Sequence, residues 1–112
     1  MSRIPARVRT ALKQRADERC EICGKPATNA HHRKNRSQGG EDLLSNLMLL
    51  CGSGTTGCHG FVTEHPAAAY VHGWSVRSRQ DPRKMPVSMR GGWFYLLRDN
   101  GERIPTPSDG AA

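Results

Sequence analysis

Helical spacing of apolar residues is clearest near the N-terminus. Val8, Ala11, Leu12 and Ala16 share one stripe of a helix predicted over residues 6–18. Pro5 suits its first turn, and Arg and Lys occupy the other faces. A short strand is then predicted within residues 27–32. The polar stretch RKNRSQGGED (33–42) reads as a loop, and Leu43 and Leu44 as the start of a short turn. Asn-Leu-Met-Leu-Leu (46–50) reads as the returning strand. A short helix follows over 58–64, and Pro66 opens another over 67–71 that ends at Gly73. Beyond it, Trp74 to Val76 is strand-like, and Pro82 and Pro86 punctuate the chain. Residues 93–97 and 102–104 flank Asp-Asn-Gly and read as a β-hairpin closed by a two-residue primed turn. The pattern predicts an α+β fold in four segments. These are a basic helix (1–19), a compact core (20–73), a β extension (74–104) and a disordered tail (105–112).

Composition sharpens this picture. A chain of 112 residues has room for one small domain, and only 36% of it is hydrophobic. With a mean hydropathy of −0.67 the core is marginal, a condition that small domains relieve with metals or disulfides. The N-terminus is charged throughout and has no apolar signal-like stretch, and no run is long enough to span a membrane. A soluble cytoplasmic protein without a membrane partner is expected, and reducing conditions there favour metal binding over disulfides. The net charge of +7 points to a polyanionic partner, most simply nucleic acid.

All four cysteines lie in one stretch. Cys20-x2-Cys23 places two thiolates on one tight turn, with Gly24 free to take positive φ, and Cys51 and Cys58 offer a second pair. Four thiolates make a structural Zn²⁺ cage, coupled to folding by about 10 kcal/mol or more. The spacing of the second pair, six residues rather than two, is unusual, and the glycines between them make the loop pliable. His59 competes with Cys58 for the cage, but would be a fifth ligand.

The order Cys20-x2-Cys23, His31-His32, Gly39-Gly40, Asn46-Leu-x-x-Leu-Cys51 and Cys58-His59 resembles the HNH nuclease family, of the zinc-knuckle type common in bacteriophage genomes. The resemblance runs from Cys20 to about Pro66. It implies a ββα-metal finger with a four-cysteine zinc site, and a metal-dependent DNA endonuclease working by one-metal hydrolysis. It puts His31 and His59 in the catalytic metal slots, His32 in the general-base slot, and Asn46 in the orienting slot. Imidazole, with an unperturbed pKa of about 6.5, suits proton abstraction at neutral pH. Adjacent residues of a strand point to opposite sides, so His31 and His32 do separate work. Arg33, Lys34 and Arg36 are candidate phosphate clamps. The catalytic ion would be Mg²⁺, Mn²⁺ or Ni²⁺. Phage origin would place the chain in a bacterial host, with terminase or other packaging proteins as partners beside DNA. Many relatives carry a further His where Thr63 stands; His65 is the nearest substitute as an outer ligand. The rival is a zinc-stabilised nucleic-acid-binding module without catalysis, which leaves the His-His pair and Asn46 without purpose. A zinc deaminase is a poor third reading, since its His-x-Glu and Pro-Cys-x-x-Cys signature is absent.

Overall fold

The structure, a computed structural model, describes residues 3–107. Helix α1 (Ala6–Ala16) buries Leu12 and Ala16 and ends where Asp17 turns left-handed (φ 56°), two residues short of the expected end. Strands β1 (Asn29–His32) and β2 (Leu47–Leu50) pair antiparallel, with His31 opposite Met48 and His32 opposite Leu47. Asn46 lies in the 3-10 turn Leu44–Asn46 rather than in β2. Helices α2 (Gly57–Glu64) and α3 (Pro66–Val71) follow as the periodicity implies. The α+β class holds, and no helix among the described residues is long and apolar enough to cross a membrane.

The C-terminal third forms a three-stranded antiparallel sheet of β3 (Val87–Met89), β4 (Trp93–Leu97) and β5 (Arg103–Thr106). Three details differ from expectation. First, β3 carries no long apolar alternation, yet Val87 and Met89 are buried against the core. Second, the β4–β5 connection is not a two-residue primed turn. The Gly101 N–H donates to the Arg98 carbonyl and the Arg98 N–H to the Glu102 carbonyl, and only Gly101 takes positive φ (96°). That is a three-residue loop ending in a left-handed glycine, and a type I′ turn would need positive φ at two residues. Third, Pro105 and Thr106, expected in the tail, belong to β5, where the edge of the sheet tolerates proline. Of that tail, residues 108–112 lie outside the described residues. Trp74 to Val76 form no named strand, but the Val76 N–H donates to the Arg33 carbonyl at 2.8 Å, so this strap runs on from the end of β1.

One hydrophobic cluster draws on α1, β2, α2, β3 and β4, through residues such as Leu12, Leu49, Val62, Val87 and Leu97. Because it is small, buried polar groups do much of the joining. The Glu21 carboxylate accepts two bonds from Arg15 (3.0 and 2.8 Å) and one from the Leu49 N–H (2.9 Å). Arg15 also donates to the Leu44 and Leu47 carbonyls, which ties α1 to β2. Both side chains are almost wholly buried, 3% and 1% exposed. Removing one partner of such a pair strands the other charge. Glu21→Ala is therefore expected to cost about 3–5 kcal/mol in urea denaturation, and Glu21→Gln, which keeps an acceptor for Leu49, to cost less.

Candidate metal centres and the His-Asn loop

The four cysteines converge. Their sulfurs lie within 4.8 Å of one another, and Cys23 and Cys51 Sγ are 3.6 Å apart. A tetrahedron with metal–sulfur bonds of about 2.3 Å has edges of about 3.8 Å, so the set is sized for one zinc-like ion. Amides brace it: the Ile22 and Cys23 N–H groups point at Cys20 Sγ, and the Cys58 N–H at Cys51 Sγ. Burial opposes ionisation of Cys20, but backbone amides of Cys23, Cys51 and Ile22 outweigh it and bring the thiol down to about 7. Burial, and then the neighbouring Cys20, push Cys58 up. Four thiols this close cannot all ionise without a cation, and a bound ion would remove that conflict.

The long second knuckle has a simple geometric solution. The Ser53 N–H donates to the Thr56 carbonyl, closing a tight turn, and the backbone of Gly52 returns against Gly57. A Cβ on Gly52 would sit 2.7 Å from Gly57 Cα, and one on Gly57 would sit 2.8 Å from Gly52 Cα. The turn is thus looped out between two touching glycines, and Cys58 returns to the place a short knuckle would give it.

On β1 the alternation of the strand separates the adjacent histidines. His31 is buried and donates from Nε2 to the Trp74 carbonyl at 2.7 Å. A carbonyl only accepts, so Nε2 carries the proton and Nδ1 keeps its lone pair. Burial above all brings His31 down to about 4, with smaller contributions from His59, His32 and Arg33, so the ring is neutral at pH 7. His59 sits in the first turn of α2, where its N–H donates to the Cys51 carbonyl. Burial also lowers its pKa, and its Nδ1 is buried without a partner among the described residues. The two rings meet edge to face with centroids 5.3 Å apart. Two imidazoles bound to one ion at about 2.1 Å near the tetrahedral angle have centroids about 5 Å apart, a spacing this pair matches. A ligating ring that donates its other N–H to a backbone carbonyl is the usual supporting arrangement.

His32 faces the other way. Its Nε2 meets Asp42 Oδ1 at 2.7 Å, and Arg36 grips the same carboxylate at 3.0 and 3.1 Å. The His32 hydrogen bond first, then Arg36, hold Asp42 below the usual carboxylate range. The bond leaves Nδ1 as the ring nitrogen able to take a proton. Asn46 is buried and clasps the loop: its Nδ2 donates to the Lys34 and Glu41 carbonyls, and its Oδ1 accepts the Lys34 N–H. Thr63 donates its hydroxyl to the His59 carbonyl. His65 stacks on Phe61 at 4.2 Å with Nδ1 on the Phe61 carbonyl, so that nitrogen is engaged away from the pair.

The basic loop residues need correction. Arg33 is not a phosphate clamp: it is 2% exposed, and its guanidinium donates to the Gly73, Ser45, Pro82 and Met85 carbonyls. It shares the buried face of β1 with His31, since the strand alternates. Lys34 commits its ammonium to the Gln80 carbonyl, and Arg36 is engaged with Asp42. Asp42 is absent from the expected site residues. Its only signal in the sequence is a carboxylate just after Gly39-Gly40, at the end of the loop that returns to the base.

Residues 20–60 match the family model described as HNH endonuclease, so the family resemblance holds over that span. A search of curated proteins and a search of solved structures return no match.

The clasp at Asn46 yields a sharp expectation. In Asn46→Asp two donors become acceptors facing carbonyls, which is expected to cost about 2 kcal/mol or more at pH 7. The introduced carboxyl has a raised pKa in the folded state, so the deficit against wild type shrinks as pH falls below that value. Urea denaturation at neutral and acidic pH measures both.

Proposed function

We propose that this HNH-domain chain is a metal-dependent DNA endonuclease, with a structural zinc in the cysteine cage and a divalent ion (Mg²⁺, Mn²⁺ or Ni²⁺) between His31 and His59. The observation that carries it is the division of labour on β1. One histidine keeps a ring lone pair and packs edge to face on His59, whose Nδ1 has no partner among the described residues, and the next is hydrogen-bonded to a carboxylate. A purely structural zinc domain has no use for either arrangement.

In this reading His32 takes a proton at Nδ1 from the water that attacks phosphorus, the bond from phosphorus to the 3′ oxygen breaks, and the departing 3′ oxygen takes up a proton from solvent. Asp42 fixes the tautomer that leaves Nδ1 basic, and steadies the ring once it is positive, as the carboxylate does in hydrolytic triads. Arg36 holds Asp42 in place and keeps it ionised. The ion, when bound, supplies Lewis-acid neutralisation of charge building on the phosphate oxygens. Asn46 holds the 33–42 loop so that Asp42 stays within reach of His32. His31 and His59, neutral at pH 7 because burial disfavours their protonation, have lone pairs to offer a cation without first losing a proton.

The decisive assay is plasmid nicking with each of the three metals. His32→Ala is expected to lose cleavage by about 10²–10⁴-fold, with one zinc per chain and DNA binding retained. DNA binding by the wild type without cleavage in any metal would instead support the non-catalytic module. Asp42→Asn should lower kcat by about 10- to 100-fold with little change in KM, because it disturbs the tautomer and not the substrate contacts. A loss confined to KM would show that Asp42 has no part in orienting the base.

A further inference from the structure

With Arg33, Lys34 and Arg36 engaged, the site needs other cations to hold a polyanion. We infer that the strap of residues 77–80 supplies them: Arg77 and Arg79 grip the phosphodiester backbone of the strand that His32 acts on. The inference deepens the nuclease reading and rests on it.

The strap forms a closed turn. The Gln80 N–H donates to the Arg77 carbonyl at 3.0 Å, and the Arg77 N–H to Gln80 Oε1 at 3.2 Å. Lys34 Nζ fastens it to the loop through the Gln80 carbonyl at 3.1 Å. The Val76 N–H on the Arg33 carbonyl fixes its other end one residue beyond His32. A position this well braced costs little further ordering when a ligand arrives. Arg77 lies over the Tyr70 ring, its Cζ 4.1 Å from the centroid, which holds the guanidinium while leaving its N–H edge free. Arg79 is exposed and makes no hydrogen bond or ion pair among the described residues. Together they line a recess of about 440 Å³ with Gln38, Tyr70, Ser78 and Gln80. Two cations, two amides and two hydroxyls line it, and no carboxylate does. Gln38 belongs to the same loop that carries Arg36 and Asp42 to His32, so this loop and the strap tie the recess to the proposed base. Two guanidinium groups with no carboxylate facing them suit phosphate oxygens.

The test is fluorescence anisotropy of a short labelled DNA duplex across NaCl concentrations, without added divalent ion, on the full chain and on Arg77→Gln/Arg79→Gln. The double variant should melt and bind zinc like wild type, since neither side chain holds the core. It should bind about tenfold or more weakly, equally across duplex sequences, and the slope of log K against log salt should be shallower by about 2. An unchanged slope overturns the clamp, as does a wild type with no salt-sensitive binding. Displacement of the duplex by millimolar inorganic phosphate well beyond that caused by NaCl at equal ionic strength reassigns the recess to a free anion and also overturns it. The two readings separate cleanly. Cleavage by the double variant at wild-type KM rejects the clamp and leaves the nuclease. Loss of binding in the double variant, with no cleavage by wild type in any metal, rejects the nuclease and leaves the clamp.

Discussion

A single buried guanidinium sets the geometry of the site. Arg33 reaches the Gly73, Ser45, Pro82 and Met85 carbonyls, which lie in three separate parts of the chain. Burial above all, and then the charge of Arg15, lower its pKa only to about 9, so it remains a cation at pH 7. An isolated buried charge is costly, and four carbonyl dipoles are what make this one tolerable. They also mean that the 73–85 segment cannot leave the hairpin without exposing that cost. The placement of the Trp74 carbonyl on His31 and of the Val76 N–H on Arg33 follows from the same anchor.

The alternation of β1 then does the rest. His31 and Arg33 face inward, while His32 faces the loop and is only partly covered. Burial on the inward side, with the Arg33 charge adding to it at His31, disfavours protonation of the His31 ring, and burial does the same at His59. The outward face keeps contact with water and a carboxylate. Under the proposed function, one strand of four residues would separate a cation-binding role from a proton-transfer role, and Cys51 of the cysteine cage follows β2 at the opposite end of the same hairpin. The Asn29 side chain donates to the Gly52 carbonyl, linking the start of β1 to the second knuckle. Metal binding at the sulfurs would thus stiffen the scaffold that carries the histidines.

Some of this was legible in the sequence and some was not, for physical reasons. The cage and the His31–His59 pairing depend on spacing along a short hairpin and helix, which sequence records directly. The amphipathic α1 and the helices after Cys58 and Pro66 were readable from periodicity and proline. The fate of Arg33 was not, because nothing local distinguishes an arginine on an exposed loop from one with three acceptors lying 40 to 52 residues away. Asp42 was hidden for a similar reason: its partner is ten residues distant across a loop of unpredictable path. Strand β3 has three residues and little pattern of its own, and it exists because β4 and the core cover it. At Gly101 the Asn-Gly signal was real but incomplete, since the extra residue Asp99 sets the loop length and its side chain caps the Ser45 N–H.

The basic surplus of the chain therefore divides into two populations that composition cannot separate. Arg15, Arg33 and Arg90 have turned inward and act as polar mortar, Arg90 reaching the Cys20 and Ala16 carbonyls from the C-terminal sheet. They compensate for a core short of large apolar side chains, and they contribute nothing to a salt-dependent surface. Most of the remaining cations face solvent, and their positions matter more than their sum. A folded domain binds a polyanion through the charges it can bring to one face. Under the proposed clamp, the phosphates neutralised near His32 would be those that the strap and its surroundings reach, so that hold on DNA would be sensitive to salt. If the proposed nuclease reading and clamp hold, a sequence-blind grip beside the base would leave selectivity to the path of the strand rather than to base contacts.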